Sequence, residues 1–136
     1  MQLSGIDIIF KGINLQRLAG GLIITGKIAF ISIIFSIIFG LILGIAMTSK
    51  NKIIYRILKF YLETIRIIPL LVWLFIIYFG VAKGFDLHID SETTTIIVFV
   101  IWGTAEMMDI VRGAIISLPK IQGESARALG LNTNQV

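Results

Sequence analysis

The sequence predicts an all-α, polytopic membrane protein. Of its 136 residues, 57% are hydrophobic and 15% are charged, and the mean hydropathy is +0.96. These values lie far from those of soluble domains. Three long apolar runs are separated by short segments that hold most of the charges, as expected for helices that cross a lipid bilayer. We therefore expect one partial transmembrane domain over 1–136 with three spans, preceded by an interfacial helix and followed by a cytoplasmic helix.

Composition also excludes several classes of function. The net charge is +4, but no basic stripe interleaved with aromatic residues is present, so a nucleic-acid partner is not expected. Because the chain has no cysteine, disulfides and thiolate chemistry are excluded. Its single histidine, His88, rules out a site with several histidine ligands within this chain and is interpreted as a solvated loop residue. We expect no metal and no cofactor.

The first 20 residues predict a helix that lies on the membrane surface. Ile6, Ile9 and Ile13 recur at a helical spacing, and polar residues such as Asp7 and Lys11 lie between them. One face of such a helix is apolar and the other is charged, which is typical of segments at the bilayer interface. We place this interfacial helix at 1–20.

The first span is predicted at 22–47, and no charge occurs from Ile28 to Met47. Small residues recur every four positions along it and form what we call the small-residue ribbon: Ser32, Ser36, Gly40, Gly44 and, just after the span, Thr48. Such a ribbon allows another helix to approach closely. The alternative is that small residues are simply common in membrane helices.

The second span is predicted at 57–81, after a short basic loop. Glu63 and Arg66 lie three residues apart, so they are predicted to pair on one helix face. Pro69 removes a backbone donor, and we expect the helix to kink or open locally near it. A functional break and a tolerated kink both remain open.

The third span is predicted at 93–118, after a net-acidic loop at 82–92. Its second half contains Glu106, Asp109 and Arg112. Ionisable groups at this depth are costly in lipid and should face protein or a watery cavity. Asp109 and Arg112 can neutralise each other as an i,i+3 pair, whereas Glu106 has no evident partner in the sequence.

The distribution of Lys and Arg predicts the orientation. In the three-span arrangement eight of them fall on the side of the 48–56 loop and the C-terminal segment, and four fall on the other side. The positive-inside rule then places the N-terminus and the 82–92 loop outside and the C-terminus in the cytoplasm.

The C-terminal stretch carries a family resemblance. The run Gln122-Gly123-Glu124-Ser125-Ala126-Arg127-Ala128-Leu129-Gly130 resembles the start of the EAA loop of bacterial ABC-transporter permeases. Glu124, Ala126 and Gly130 hold the pattern, and Ser125 stands at the first Ala. Ser is also small, so this departure is mild.

Two upstream motifs are similar to the polar amino-acid uptake branch of that family. The second span carries Glu63-Thr64-Ile65-Arg66-Ile67-Ile68-Pro69-Leu70-Leu71-Val72 and ends in Tyr78-Phe79-Gly80. The third ends in Asp109-Ile110-Val111-Arg112-Gly113, followed by Pro119-Lys120. The departures are Ile67 for Gly, Asp109 for Glu, Met108 for Ala, and Glu106 where an uncharged residue is usual.

The resemblance implies a function. In such permeases a coupling helix docks into a separate ATP-binding cassette subunit, and a pair of identical or different permease subunits moves a polar amino acid delivered by an external solute-binding protein. The chain would be a multi-pass protein of the bacterial cytoplasmic (inner) membrane, in contact with membrane lipid. The chain has no Gly-x-x-x-x-Gly-Lys-Ser/Thr motif for nucleotide, so it is not expected to be an enzyme.

The resemblance also assigns residues to roles. Docking to the ATPase falls to Glu124, Ser125, Ala126 and Gly130, and the motif of the second span comprises Glu63, Arg66 and Pro69. Glu106, Asp109 and Arg112 are candidates for the substrate path or its gate, and the small-residue ribbon is a candidate sliding surface during alternating access.

Members of this family usually have five spans, with the EAA loop between the third and the fourth. This sequence stops at Val136, before the second half of that loop, so we expect a truncated permease with the segment 119–136 as the start of its coupling loop. The alternative is a non-transporting membrane interaction protein. An independent channel or membrane enzyme draws little support, because no constellation of nucleophile, base and orienting group is present.

Overall fold

The computed structural model of the chain describes residues 12–81, 84–86, 88–130 and 132, apart from the side chain of Lys120. Within these residues the regular elements are helices: α1 (Asn14–Met47), α2 (Lys52–Ile67), α3 (Leu70–Phe75), a π-helical turn that continues it (Ile76–Val81), α4 (Ser91–Ile116) and α5 (Lys120–Ala128). Of the described helices, α1 and α4 are each long and apolar enough to cross a membrane, and α2 with α3 and the π-helical turn supplies a third span if this bent pair counts as one. The all-α, polytopic membrane class predicted from sequence is confirmed.

The N-terminal boundary differs from the prediction. Residues 1–11, which hold most of the predicted interfacial helix, lie outside the described residues. Residues 14–20 are not a separate helix but the first turns of α1, which runs unbroken for 34 residues. No proline interrupts this stretch, and 34 residues of helix measure about 51 Å, whereas the hydrocarbon core is about 30 Å thick. The first turns therefore extend the span beyond the hydrocarbon.

Helices α1 and α4 pack side by side and run in the same direction. Lys27 contacts Glu92 near the start of α4, the Ser36 hydroxyl donates to the Val100 carbonyl at 3.5 Å, and Gly44 lies against Val111. Positions that come later in α1 thus contact positions that come later in α4. Two parallel spans require the chain between them to return across the membrane, so the broken segment Lys52–Val81 has to act as the return span.

The small-residue ribbon forms the α1 side of this interface. Ser32, Ser36, Gly40 and Gly44 are all buried. A Cβ atom built on Gly44 would lie 2.6 Å from the Val111 Cβ and 2.9 Å from the Met108 carbonyl oxygen. The predicted close approach of another helix is confirmed. The helix that covers the ribbon is α4 of the same chain, and the role of the ribbon as a sliding surface stays a prediction.

The second span is broken at Pro69, as the sequence predicted. Ile68 is extended (φ −88°, ψ 124°), because a residue that precedes proline is disfavoured in the helical region. The Pro69 carbonyl then accepts from the amides of Val72 and Trp73, which starts α3. The axes before and after the break differ by 100°. A proline that cannot donate to the preceding turn thus ends one helix and begins another.

The third span begins two residues earlier than predicted and ends at Ile116 rather than 118. Asp90 caps its N-terminus: Oδ2 accepts from the amides of Glu92 (3.1 Å) and Thr93 (3.2 Å), and Oδ1 accepts from the Thr93 hydroxyl (2.6 Å). The described core lies where α1, α2 and α4 meet, and its buried side chains are Met47, Leu62, Ile65, Ala105 and Met108.

Candidate functional site

An ion cluster joins the end of α2 to the middle of α4. Arg66 is the penultimate residue of α2, three positions before Pro69. Its guanidinium donates from Nε to Glu106 Oε1 at 2.9 Å and from Nη2 to Glu106 Oε2 at 3.0 Å, and its Nη1 lies 2.9 Å from Asp109 Oδ2. A bidentate guanidinium–carboxylate pair is both strong and geometrically specific. The break in the second span is therefore held against α4 by charge.

This arrangement corrects two predictions. Arg66 does not pair with Glu63, whose carboxylate lies 3.6 Å from Lys59 Nζ instead. Glu106, which has no evident partner in the sequence, is the bidentate partner of Arg66. Intrahelical spacing suggested the first pair, but charges at membrane depth are stabilised by whichever opposite charge the fold brings to the same level. The signal that sequence reasoning could have used was the pair of acids in span three facing one basic residue in the middle of span two.

Arg112 extends the cluster toward the end of α4. Its Nη1 lies 3.6 Å from Asp109 Oδ1, so the predicted i,i+3 pair is present at a longer distance than the contacts of Arg66. The guanidinium also lies over the ring of Tyr55, 5.6 Å from the centroid, which is a cation–π distance. Among the described residues the buried Nε of Arg112 has no hydrogen-bond partner. The role of Tyr55 was not predicted from sequence.

The cluster borders open space. Its four side chains are 29–42% exposed, and Glu106 lines a groove of about 380 Å³ between α1 and α4. The other groove walls are mainly apolar and include Ile33, Phe99 and Trp102. This volume falls within the range of small-molecule sites. In the described part of the chain no three metal-ligating side chains converge. The charged groups that the site offers are the paired side chains of the ion cluster.

Of the predicted docking residues, Glu124, Ser125 and Ala126 lie on α5, which follows the third span after Pro119, and Gly130 lies just beyond its end. The Gln122 amide donates to the Pro119 carbonyl at 3.0 Å and begins the helix. Glu124 and Ser125 are exposed, Ala126 is partly buried, and the apolar side chains of Ile121 and Leu129 also face outward. Gly130 adopts φ +84°, a conformation that glycine tolerates without strain. Helix α5 itself ends at Ala128, so Gly130 lies just past its end.

The chain as a whole can be compared with known proteins. A family model described as "Binding-protein-dependent transport system inner membrane component" matches residues 36–136. The chain is 35% identical over 123 residues to the probable glutamine ABC transporter permease protein GlnP of Bacillus subtilis, covering 90% of this chain and 56% of that protein. It is 33% identical over 114 residues to the L-cystine transport system permease protein TcyB of the same organism, covering 84% and 48%.

Two further comparisons agree. The glutamine transport system permease protein GlnP of Escherichia coli K12 is 33% identical over 121 residues, covering 88% of this chain and 48% of that protein. The crystal structure of an amino acid ABC transporter with histidines superposes with a TM-score of 0.84 at 28% identity, covering 98% of this chain and 61% of that one. The chain spans about half the length of the curated relatives it matches.

Proposed function

Because the chain belongs to the family of binding-protein-dependent transport system inner membrane components, we propose that it serves as a membrane permease subunit of an ATP-driven importer for a polar amino acid. The family model and the relatives named above make it a multi-pass membrane permease. The observation that supports the transport role in the molecule itself is the ion cluster placed at a broken span. In secondary transporters, discontinuous membrane helices form the substrate sites, because irregular backbone at membrane depth is tolerated where it lines a cavity. The break at Pro69 beside the ion cluster offers a similar position in this chain.

The exposed helix α5 is the proposed docking element for a separate ATPase subunit. Its solvent-facing surface combines a carboxylate, small residues and apolar side chains, and it follows the third span directly, so force on α5 would reach α4. Glu124, Ser125, Ala126 and Gly130 form the proposed contact. ATP hydrolysis belongs to that partner, because this chain carries no phosphate-binding loop.

The remaining proposals concern assembly and location. A second permease subunit, identical or different, would complete the translocation pathway, and an external solute-binding protein would deliver the amino acid. We place the chain in the bacterial cytoplasmic membrane with the N-terminus outside and the C-terminus in the cytoplasm. The basic residues Lys50, Lys52 and Arg56 around the junction of α1 and α2, with Lys120 and Arg127 on α5, support this orientation.

The substrate path is proposed to pass the ion cluster. Glu106, Asp109 and Arg112 are partly exposed, and Glu106 opens onto the groove between α1 and α4. Charged side chains at this depth are costly in lipid unless they serve a pathway or a partner. Arg66, which was assigned from sequence only to the motif of the second span, joins them.

The substitution Glu124→Lys tests the docking proposal. The full gene product would be reconstituted with its ATPase and binding protein in liposomes, and amino-acid-stimulated ATP hydrolysis and uptake of labelled amino acid would be measured. Reversal of the charge on the exposed face of α5 is expected to abolish stimulation while membrane insertion is unchanged.

A matched control is Asp86→Lys, which makes the same change of charge at an exposed residue of the 82–92 loop. It is expected to keep wild-type coupling. Undiminished stimulation in Glu124→Lys would contradict docking through this residue. Co-purification of the wild-type chain with the ATPase but without any amino-acid uptake would contradict transport and favour a non-transporting interaction protein.

A further inference from the structure

Resting on the proposed function, we infer that the substrates are zwitterionic amino acids without net charge, and that Arg66 and Glu106 set this charge selectivity. The inference depends on the sum of charges where the proposed path meets the broken span. Glu106 and Asp109 contribute two negative charges, and Arg66 and Arg112 contribute two positive charges. The cluster is neutral.

The charges of the cluster cancel because the oppositely charged groups are in direct contact. Arg66 engages both carboxylates through three separate nitrogen atoms at 2.9–3.0 Å, so neither acid is left as an unopposed anion toward the path. A guanidinium remains charged under all physiological conditions, so this compensation does not switch off.

The other acids within the spans are compensated in the same way. Glu92 lies 2.7 Å from Lys27 near the start of α4, and Glu63 lies 3.6 Å from Lys59 on α2. Each acid of the described spans thus has a basic partner, and the bases of α1 and α2 that form no ion pair lie in the first two turns of these helices. A ligand that carries a net charge finds no matching excess of opposite charge around the ion cluster.

Charge pairs also provide two-point recognition of a zwitterion. The bidentate contact of Arg66 with Glu106 has the geometry in which a guanidinium binds an α-carboxylate, and Glu106 is the acceptor that an α-ammonium would use. The carboxylate of a zwitterion can bind Arg66 while its ammonium group binds Glu106, so the total charge of the site does not change. A cation or an anion would leave one unit of charge uncompensated in a region of low dielectric constant, which is unfavourable.

The test compares the binding affinities of amino acids that differ in net charge. Radiolabelled L-glutamine, L-glutamate and L-lysine would be titrated against the purified full-length permease and its ATPase in lipid nanodiscs, without the binding protein. The wild type is expected to bind L-glutamine most tightly. Arg66→Gln leaves a net charge of −1 and should shift the ratio of affinities toward L-lysine about tenfold, and Glu106→Gln leaves +1 and should shift it toward L-glutamate by a similar factor.

Two control variants separate charge from geometry. Arg66→Lys keeps the charge, and the double variant with Arg66→Gln and Glu106→Gln restores neutrality, so both should retain the wild-type preference for L-glutamine. If Arg66→Gln does not fold, Glu106→Gln tests the same rule from the other side. A wild type that prefers L-lysine or L-glutamate, or single variants that leave the affinity ratios unchanged, would overturn the inference. Failure of the wild type to take up any amino acid with its partners present would instead overturn the proposed function.

Discussion

At the scale of single residues, Arg66 is the side chain on which the cluster depends. Its guanidinium extends from the last turn of α2 to two carboxylates of α4. The Tyr61 hydroxyl donates to the Ile101 carbonyl and makes a second contact between the same helices. Because the partners sit on different helices, each contact stabilises the tertiary arrangement and not only a local turn. The broken span is thereby fixed relative to α4.

The pair of Arg66 and Glu106 should behave as one unit in a double-mutant cycle. Arg66→Gln and Glu106→Gln are each expected to destabilise by about 1 kcal/mol, since the side chains are 31–42% exposed and partly screened. The double variant should lose little more than Arg66→Gln alone, because Glu106 has lost its partner once Arg66 is replaced, whereas Arg66→Gln also removes the contact with Asp109. Thermal unfolding in detergent measures the three losses, and strictly additive losses would argue against the pair.

At the scale of elements, the tightest contact is the parallel interface of α1 and α4. Gly44 lies under Val111, and Gly103 of α4 lies under Ser36, so each helix supplies small residues to the other. Without a hydrophobic driving force in lipid, this close packing is a main source of helix association. The interface therefore depends on the absence of Cβ atoms at a few positions.

Gly44→Ala is expected to lower stability by about 1–3 kcal/mol, because the new methyl group would overlap Val111 and the Met108 carbonyl. Gly26→Ala on the same helix is the matched control, since nothing lies within 4 Å of a Cβ there. It should leave the unfolding temperature in detergent nearly unchanged. Equal effects of the two substitutions would rule out the tight interface.

The stability of the N-terminal end of α4 should depend on pH through its capping residue, Asp90. Hydrogen bonds from the Thr93 hydroxyl and the Thr93 amide hold the pKa of Asp90 below its ordinary value. The pKa of Asp90 in the folded chain is therefore lower than in the unfolded chain, where it is about 3.9. The stabilisation of the fold by the ionised Asp90 carboxylate is thus present above about pH 4 and is lost as the pH falls through the folded pKa. Asp90→Asn keeps a capping oxygen but does not titrate.

The unfolding temperature of the wild type should accordingly exceed that of Asp90→Asn near neutral pH, and the difference should shrink as the pH falls below about 4. Other acids titrate in both proteins and cancel in the comparison. A difference that stays constant from pH 7 to pH 3 would show that the capping carboxylate is not favoured in the folded state.

At the scale of the whole molecule, two parallel spans and a bent return segment define the path of the chain. The shared direction of α1 and α4 requires an odd number of crossings between them, and the segment Lys52–Val81 is the part of the chain available for it. The helix that carries the docking residues then leaves on the same side as the loop between α1 and α2.

Cysteine labelling can test this path directly, because the chain has no native cysteine. A cysteine placed at Asp86 is expected to react with a membrane-impermeant maleimide in intact cells. A cysteine placed at Ser49 should react only after the membrane is permeabilised. The reverse pattern would invert the proposed orientation, and labelling of both positions from outside would contradict the return span.

Much of the fold could be predicted from local patterns. The three apolar runs, the small-residue ribbon and the break at Pro69 each follow from a few neighbouring residues. The boundary of the interfacial helix near residue 21 was wrong, because amphipathic periodicity before the span does not itself create a break. Local sequence patterns therefore predict the presence of helices more reliably than the boundaries between them.

The candidate site divides in the same way. Sequence alone determined that charged residues lie deep in two spans, since their cost in lipid makes them visible against an apolar background. Only the tertiary structure decided that Arg66 binds Glu106 and Asp109 and that Arg112 lies over Tyr55. Spacing along one helix restricts pairs to neighbours three or four residues apart, whereas Arg66 and Glu106 are 40 residues apart and meet only because α2 and α4 pack together.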